Sequence, residues 1–406
     1  MRSYSIFTIV LLCVVLLLID ILAFYWLHSI TQLVTVPYIK SFIYITFWIF
    51  AIGLIASIIY LKIRLESINP KRKQLLISSL YGITISSFIP KLFFVIIISI
   101  LYFSNFVFVE KQSLLIFFIV GIFSGFLPFF TIIYGIFRSL YRFKIHSNTI
   151  EYKDLPIKFN GLRIVHISDL HLGSFNYRYH ILDRAINMIN NLKPDLIFFT
   201  GDLVNNCAWE LDNWDKVLKQ LSARLGKYSV LGNHDYGDYK KWESEELRQE
   251  NFNAIKQFYK KIDFKLLLNE AEIINNQKDT IAIVGVENWG NPPFKKYGDL
   301  PKSLKNVKDT PFKILLSHDP THWSQEVVKM TDIDLTLSGH THGMQVGFNL
   351  KNKKWSPIKY KYKHWAGLYN LNQQYLYVNR GLGWLGFPGR LGMRPEITFI
   401  ELKCTS

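Results

Sequence analysis

Hydrophobic side chains run almost unbroken through the first third of the chain and come only in short bursts after it. Apolar runs cover residues 5–27, 41–62, 78–104 and 113–137. Each reaches the ~20 residues that a helix needs to cross the hydrocarbon core. The first run is longer than a signal-peptide core, and no small-residue cleavage site follows it. Pro90 and Lys91 interrupt the third, a kink that neighbouring helices can absorb. The pattern therefore predicts four membrane helices within 1–137. Beyond it, short β-branched runs predict strands at 162–168, 195–200, 228–231, 280–286, 313–317, 334–338, 375–379 and 396–402. Helical spacing predicts helices at 176–191, 210–224 and 242–260. Alternating strands and helices imply an α/β layered domain over 161–406, with more than one sheet. The stretch 138–160 reads as a short tether.

Composition sharpens this division. The 406 residues are 50% hydrophobic and 19% charged, against the ~25% charged of an ordinary soluble chain. Such a chain is not disordered. Three cysteines exclude a disulfide-built scaffold and a cysteine-rich zinc protein. Residues 1–137 carry 9 Lys+Arg and 3 Asp+Glu. Lys62, Arg64, Lys71, Arg72 and Lys73 crowd the second loop, whereas the flanking loops hold only Lys40 and Lys111. The positive-inside rule then places the N-terminus, the second loop and everything after residue 138 in the cytoplasm of an inner-membrane protein. Lys91 and Asp20 are the charges inside the spans. A bundle-facing or snorkelling lysine accounts for Lys91, and the pair is thin support for a transport path. Residues 138–406 carry a net charge of +10, which suits an anionic membrane surface. No nucleic-acid-binding motif accompanies that charge, so nucleic acid is not expected as a partner. The sequence names no protein partner.

Chemistry gathers where the predicted strands end. Ser168-Asp169-Leu170-His171 closes the first and Gly201-Asp202 the second. Gly232-Asn233-His234-Asp235 closes the third, His318-Asp319 a later one, and Gly339-His340-Thr341-His342 another. Taken alone, Asp169-x-His171 and Gly201-Asp202 are ordinary turn residues. Two imidazoles two residues apart beside a glycine seldom serve packing, and five such loops in sequence do not arise from packing. Ligands in open α/β sheets bind beyond the carboxyl ends of strands. Asp, Asn and His together are donors for divalent metals such as Mn, Fe and Zn. The donors exceed what one ion uses, so two ions about 3.5–4 Å apart, sharing one carboxylate, is the economical arrangement.

The order D-x-H, GD, GNHD, H, GHTH resembles that of the calcineurin-like metallophosphoesterases, and is closest to their bacterial membrane-associated branch. The resemblance runs over about 160–403, through Asn379-Arg380-Gly381-Leu382-Gly383 and Arg394-Pro395-Glu396. It implies a four-layer α/β/β/α sandwich after the four-helix transmembrane region. It implies that Asp169, His171 and His342 hold one metal, that Asn233, His318 and His340 hold the other, and that Asp202 bridges them. It gives His234 contact with the substrate phosphate and protonation of the leaving oxygen, with Asp235 orienting His234. Mn is the first choice of metal, with Fe or Zn acceptable. Met344 departs from the branch, which usually has a second glycine before Gln345. The Ser/Thr phosphoprotein phosphatases resemble GDxVDRG with GNHE, whereas this chain has Asn206 and Asp235, which argues against a protein phosphatase.

Substrate phosphates away from the metals need cations, and Arg380, Arg390 and Arg394 are the candidates because a guanidinium fork matches phosphate. Residues 351–364 interleave lysines with aromatics and read either as a solvated loop or as a membrane-surface contact. Loop 288–301, with Trp289, Pro292, Pro293 and Phe294, reads as a lid, an acyl-chain contact or core. The expected activity is hydrolysis of a phosphodiester or pyrophosphate in a lipid-linked or membrane-proximal substrate. UDP-2,3-diacylglucosamine of lipid A synthesis is the specific candidate that the resemblance offers. General cleavage of soluble phosphodiesters or phosphomonoesters is the alternative, and a non-catalytic membrane sensor is the rival from another class.

Overall fold

The computed structural model describes residues 5–65, 67–108, 114–175, 178–290, 292–328, 330–350 and 353–405. Lys111, counted above in a loop, lies outside them, as do the first two residues of the lysine-aromatic segment. The chain divides into two units, one made of residues 3–138 with 386–389 and the other of 139–385 with 390–406.

In the first unit the apolar runs form α1 (Ile6–Ile30), α2 (Pro37–Arg64), α3 (Pro70–Phe108) and α4 (Leu114–Phe137). All four are long and apolar enough to span a bilayer. Proline begins α2 and α3, where its missing N–H costs nothing. Pro90 lies within α3, which continues through it for 39 residues. The two charges inside the spans meet each other: Lys91 Nζ lies 2.5 Å from Asp20 Oδ1 and 4.9 Å from the centre of the Phe47 ring. Opposite charges that pair inside a bundle relieve the cost of their burial.

In the second unit the strands are β1 (Lys144–Tyr152), β2 (Leu162–Ile167), β3 (Leu196–Phe199), β4 (Gly226–Ser229), β5 (Lys265–Leu266), β6 (Glu270–Asn276) and β7 (Asp279–Gly285). They continue with β8 (Lys313–Leu316), β9 (Leu335–Ser338), β10 (Phe348–Leu350), β11 (Lys353–Trp355), β12 (Gly367–Leu371), β13 (Gln374–Val378) and β14 (Glu396–Cys404). One six-stranded sheet has the order β1-β14-β2-β3-β4-β5 and the other β12-β13-β9-β8-β7-β6, with β10 and β11 as a separate hairpin. Alternation assigns each side chain to a layer. Phe198, Ile164 and Ile400 of the first sheet cluster with Ile283, Ile314 and Leu337 of the second. Phe199 and Val165 face outward onto helices. The second sheet's outer face carries its own apolar layer, with Leu315, Val284, Leu300 and Trp323. The result is the α/β/β/α sandwich.

Helix α5 (His180–Asn191) buries Leu182, Ala185, Ile186 and Ile189, a stripe at helical spacing. The helix expected over 210–224 is instead a 3₁₀ turn at Ala208–Leu211 followed by the four-residue α6 (Asp215–Leu218). Asp212 is non-helical there and Asn213 is left-handed at φ 63°, so the backbone cannot continue as one helix. Helix α7 (Glu245–Lys261) starts where Ser244 Oγ accepts from Leu247 N–H, with Glu245 and Glu246 in the first turn and Lys260 and Lys261 in the last, which suits the helix dipole. A last short helix, α8, spans Leu300–Leu304.

The stretch read as a tether contains β1, a correction. Lys144 through Tyr152 pair with Glu396 through Cys404 in parallel register, and Ile150 and Tyr152 are buried. A nine-residue edge strand secured on β14 makes this segment part of the sandwich.

Candidate metal centre

Strands β2, β3 and β4 of one sheet and β8 and β9 of the other deliver their carboxyl-end loops to one place. Two groups of donors meet there. Asp169, His171 and His342 form one, and Asp202, His318 and His340 the other, each with ligand atoms within 4.8 Å of one another. Asp169, His171, Asp202, His318 and His342 are buried. Asp202 lies between the groups, its Oδ2 3.5 Å from His171 Nε2 and 3.3 Å from His318 Nε2. Asn233 joins the second group, its Oδ1 2.8 Å from His340 Nδ1. The seven residues expected as ligands are thus brought together, Asp202 in the shared position.

The glycines of the motifs exist for this crowding. A Cβ at Gly339 would lie 1.9 Å from Ser168 Oγ and 2.3 Å from Asp169 Oδ2, and one at Gly232 would lie 2.2 Å from Asp202 Oδ1. The ligands themselves take left-handed backbone: Asp169, His171, Asp202, His340 and His342 have φ between 45° and 71°. L-residues rarely adopt it, and its concentration at one spot marks a functional site. Met344, the departure from the branch, is left-handed too, at φ 53°, which explains why glycine is usual there.

Hydrogen bonds aim the rings. His318 Nδ1 donates to Thr200 O at 2.7 Å, so Nε2 points inward. His340 Nε2 lies 2.8 Å from the Tyr362 hydroxyl; when that oxygen accepts, Nδ1 presents its lone pair. Asn233 Nδ2 donates to the Tyr239 hydroxyl at 2.8 Å, which turns the amide oxygen inward. Tyr239 and Tyr362 therefore position ligands of the second group. Neither belongs to a motif, and a phenol offers no spacing signature by which the sequence could reveal it.

The donors fit divalent cations. His171 Nε2 lies 3.1 Å from His342 Nε2, and His318 Nε2 lies 3.2 Å from His340 Nδ1. Ring nitrogens and two buried carboxylates are thus turned on one another around a space that favours positive charge. The electrostatics carry the same mark. Burial opposes the Asp202 charge, yet His318, His234 and His171 hold its carboxyl well below the usual range. Burial likewise opposes a charge on His318, but Asp202 and Asp169 pull it up to about 10. Burial lowers His171 to about 3 and His340 to about 4, keeping both neutral as ligands must be. Imidazole, carboxylate and amide oxygen together suit Mn, Fe or Zn.

His234 is half-buried beside the centre, its ring 5.0 Å from that of His171 and 4.6 Å from that of Tyr239. Its N–H donates to Asp202 Oδ1 at 2.9 Å and its Nδ1 to Asn205 O at 2.7 Å. Burial lowers its pKa, opposed by Asp202. Asp235 does not orient it, a correction. The Asp235 carboxylate accepts from the backbone N–H groups of Gly232, Asp202, Leu203 and Val204. It ties the Gly201-Asp202 loop to the Gly232-Asn233 loop, because four converging N–H groups outcompete one imidazole.

The three arginines are also corrected. Arg380 is buried and pairs with Glu396. Arg390 is fully buried, donates to the carbonyls of Gly383, Met393, Arg380 and Gly381, and is lowered by burial to about 9. Arg394 donates to Arg142 O and Phe143 O. Their forks meet backbone carbonyls and a carboxylate. Arg390 has another task. It gathers the 380–383 loop, whose Gly383 N–H donates to Asp169 O at 2.9 Å, and so braces a ligand. In loop 288–301, Trp289 stacks on His322 within the core. Phe294 meets the ring of His340 edge-on at 4.8 Å and lines the centre.

Residues 162–344 match the family described as calcineurin-like phosphoesterase, and residues 1–140 match one described as a probable calcineurin-like phosphoesterase transmembrane domain. The chain is 32% identical over 280 residues to the uncharacterized metallophosphoesterase YkuE of Bacillus subtilis, covering 67% of this chain and 91% of that one. It is 32% identical over 277 residues to a transmembrane protein with metallophosphoesterase domain of Danio rerio, covering 67% of this chain and 60% of that one. It is 29% identical over 245 residues to the phosphodiesterase YaeI of Escherichia coli, covering 59% of this chain and 82% of that one.

Proposed function

Since the chain belongs to the calcineurin-like metallophosphoesterases, hydrolases of phosphoester bonds, and carries a four-helix membrane domain, we propose that it hydrolyses a phosphodiester or pyrophosphate linkage in a lipid-linked or membrane-proximal substrate. The observation that carries this reading is the pair of facing donor groups, Asp169–His171–His342 and Asp202–His318–His340, in a chain with four candidate membrane spans. A protein built only to cleave a soluble diester has no use for that anchor. Within this class, UDP-2,3-diacylglucosamine is the specific candidate, and the catalytic unit works on the cytoplasmic side of the inner membrane.

Asp169, His171 and His342 would hold one divalent ion, Asn233, His318 and His340 the other, with Asp202 shared. When bound, such a pair polarises a phosphoryl group and lowers the pKa of the attacking water. The chain's own residues do the rest. Thr200 O, Tyr362 and Tyr239 fix which atoms of His318, His340 and Asn233 face the reacting group. His234 keeps its Nδ1 proton on Asn205 O and presents Nε2. An arriving phosphate anion raises the imidazole pKa, so Nε2 takes up a proton, holds a phosphate oxygen and delivers the proton to the leaving oxygen. Phe294 and Tyr362 stand against His340 beside the centre.

The test uses detergent-purified full-length protein with Mn²⁺ on bis(p-nitrophenyl) phosphate, p-nitrophenyl phosphate and lipid-linked pyrophosphates, with Asp202→Ala as control. Cleavage of the diester and of a lipid-linked pyrophosphate, both lost together with bound metal in the variant, is the expected result. Turnover of soluble diesters alone would return the enzyme to a general phosphodiesterase, as its Escherichia coli relative is named. Release of no UMP from UDP-2,3-diacylglucosamine, under conditions where the generic diester is cleaved, removes that candidate.

A further inference from the structure

The arginines are turned inward, and the positive charge that remains on this side of the sandwich is lysine. Residues 335–395 contain no Asp or Glu but nine Lys and Arg. With Arg380, Arg390 and Arg394 committed to internal partners, the surface charge of the segment comes from its lysines. Lys353, Lys359, Lys361 and Lys363 are exposed. Among the described residues, none of Lys353, Lys359 and Lys363 pairs with a carboxylate. Apolar side chains stand among them: Leu350 is 68% exposed, Tyr360 79%, Met344 53% and Phe348 44%. Exposed leucine, phenylalanine and tyrosine flanked by unpaired lysines match the headgroup region of a bilayer, where apolar tips enter and ammonium groups meet phosphate.

This face is fixed, and it is fixed to the metal centre. Phe348 and Trp355 stack across the β10–β11 hairpin. Lys354 Nζ donates to Ala366 O at 2.6 Å and to the Tyr369 hydroxyl at 3.1 Å. Ser356 Oγ donates to Gly343 O at 2.8 Å, within the loop that supplies His340 and His342. Tyr362 reaches His340, and Lys361 Nζ lies 5.5 Å from the centre of the Phe294 ring, itself edge-on to His340.

We propose that the β10–β11 hairpin and the 359–363 strip form a docking face for anionic phospholipid headgroups, coupled through Tyr362 and Lys361 to the metal centre, so that phosphate arrives from the lipid surface. The docking rests on charge complementarity and exposed apolar tips. Its use, presenting substrate, rests on the functional reading above. The occupant is the anionic bilayer; free phosphate shares some of the chemistry and is an outcome of the test.

The test places the full-length protein in nanodiscs of phosphatidylcholine, alone or mixed with phosphatidylglycerol, and follows amide hydrogen exchange of peptides within 344–364. Slower exchange in the anionic discs, reversed by high salt, is expected. A lysine near an anionic surface changes binding roughly fivefold. The triple variant Lys353→Gln/Lys359→Gln/Lys363→Gln should therefore lower the docked-to-free ratio by about a hundredfold, with bound metal and soluble-diester turnover unchanged. Leu350→Ser, one exposed tip, should weaken protection without touching the charge. Equal exchange in both lipids overturns the proposal. So does equal protection by inorganic phosphate in neutral discs, or protection that survives the triple variant. Lipid-dependent protection without hydrolysis of any lipid-linked substrate would overturn the functional reading and leave the docking face standing.

Discussion

Asp235 separates two accounts of the centre, and its replacement decides between them. If the carboxylate orients His234, Asp235→Ala slows turnover and leaves the fold and the metals alone. In the structure its oxygens take four backbone N–H groups: Gly232 and Asp202 at 2.9 Å on Oδ2, and Leu203 at 2.8 Å and Val204 at 3.3 Å on Oδ1. A buried N–H left without an acceptor costs about 1–3 kcal/mol. Four of them at the low end give about 4 kcal/mol, with water in the vacated space recovering part, so ~2–4 kcal/mol is expected. Asp235→Asn keeps one oxygen and turns an amide N–H₂ toward the other two donors, so about half that loss is expected. At roughly 2–4 °C per kcal/mol for a domain of this size, Asp235→Ala lowers the unfolding midpoint by about 10 °C. The clamped loops carry Asp202 and Asn233, so bound metal falls as well. Tryptophan fluorescence on heating in detergent and elemental analysis of the purified variants read both quantities. Slowed turnover with an unchanged midpoint and full metal in Asp235→Ala would refute the clamp and restore the orienting role.

His234→Ala should cut turnover by about 10²–10⁴-fold with metal content retained; loss of metal would move His234 among the ligands. Tyr362→Phe should weaken metal binding at the second group by roughly 10–100-fold with little change in unfolding midpoint, and an unaltered metal titration would show that the hydroxyl does not position His340. Stripping metal with a chelator should speed amide exchange in the loops at 169–172, 202–206 and 339–345 while the inter-sheet core around Ile164, Ile314 and Ile400 stays protected. Uniform loosening of the whole sandwich would mean that the metals hold the fold and not only the site.

How far the sequence discloses this centre depends on the kind of signal each residue leaves. Asp169, Asp202, Asn233, His318 and His340 each follow a short strand that is legible from its apolar pairs and runs, such as Ile164-Val165, Leu196-Ile197-Phe198-Phe199, Val230-Leu231 and Ile314-Leu315-Leu316. Membrane helices are legible from the length of their apolar runs, since no soluble element needs a 28-residue, mostly apolar helix such as Pro37–Arg64. Side-chain direction leaves no such trace. Asp235 sits beside His234 in sequence and turns to the backbone. Arg390 stands in a glycine-rich loop suited to phosphate, yet the carbonyls it gathers belong to its own neighbours. Strand β1 hides because Lys144-Ile145-His146-Ser147-Asn148 is polar and half-exposed, and its partner lies some 250 residues later. Tyr239 and Tyr362 are placed by the fold, and local sequence carries no record of that.

The backbone at the centre shows what the sandwich is for. Five ligand residues occupy left-handed backbone, a state that costs on the order of 1 kcal/mol or more per residue. A sequence selected for stability alone would place glycine or asparagine at such positions. Here Asp and His stand there, because their donors are needed and only this backbone aims them inward. The strain persists because the surroundings over-determine it. Asp169 N–H donates to Gly201 O, His171 N–H to Asp202 O and Gly339 N–H to His318 O, while Asp235 clamps two loops and Arg390 a third. Of the arginines that would be the obvious phosphate binders, Arg390 is spent on the loop that braces Asp169, and Arg380 pairs with Glu396. Substrate recognition beyond the metals must then come from residues outside the motifs. Tyr362 is committed to His340, so Phe294 and Lys361 stand at that boundary, where a change would alter which phosphoester enters rather than how it is cleaved.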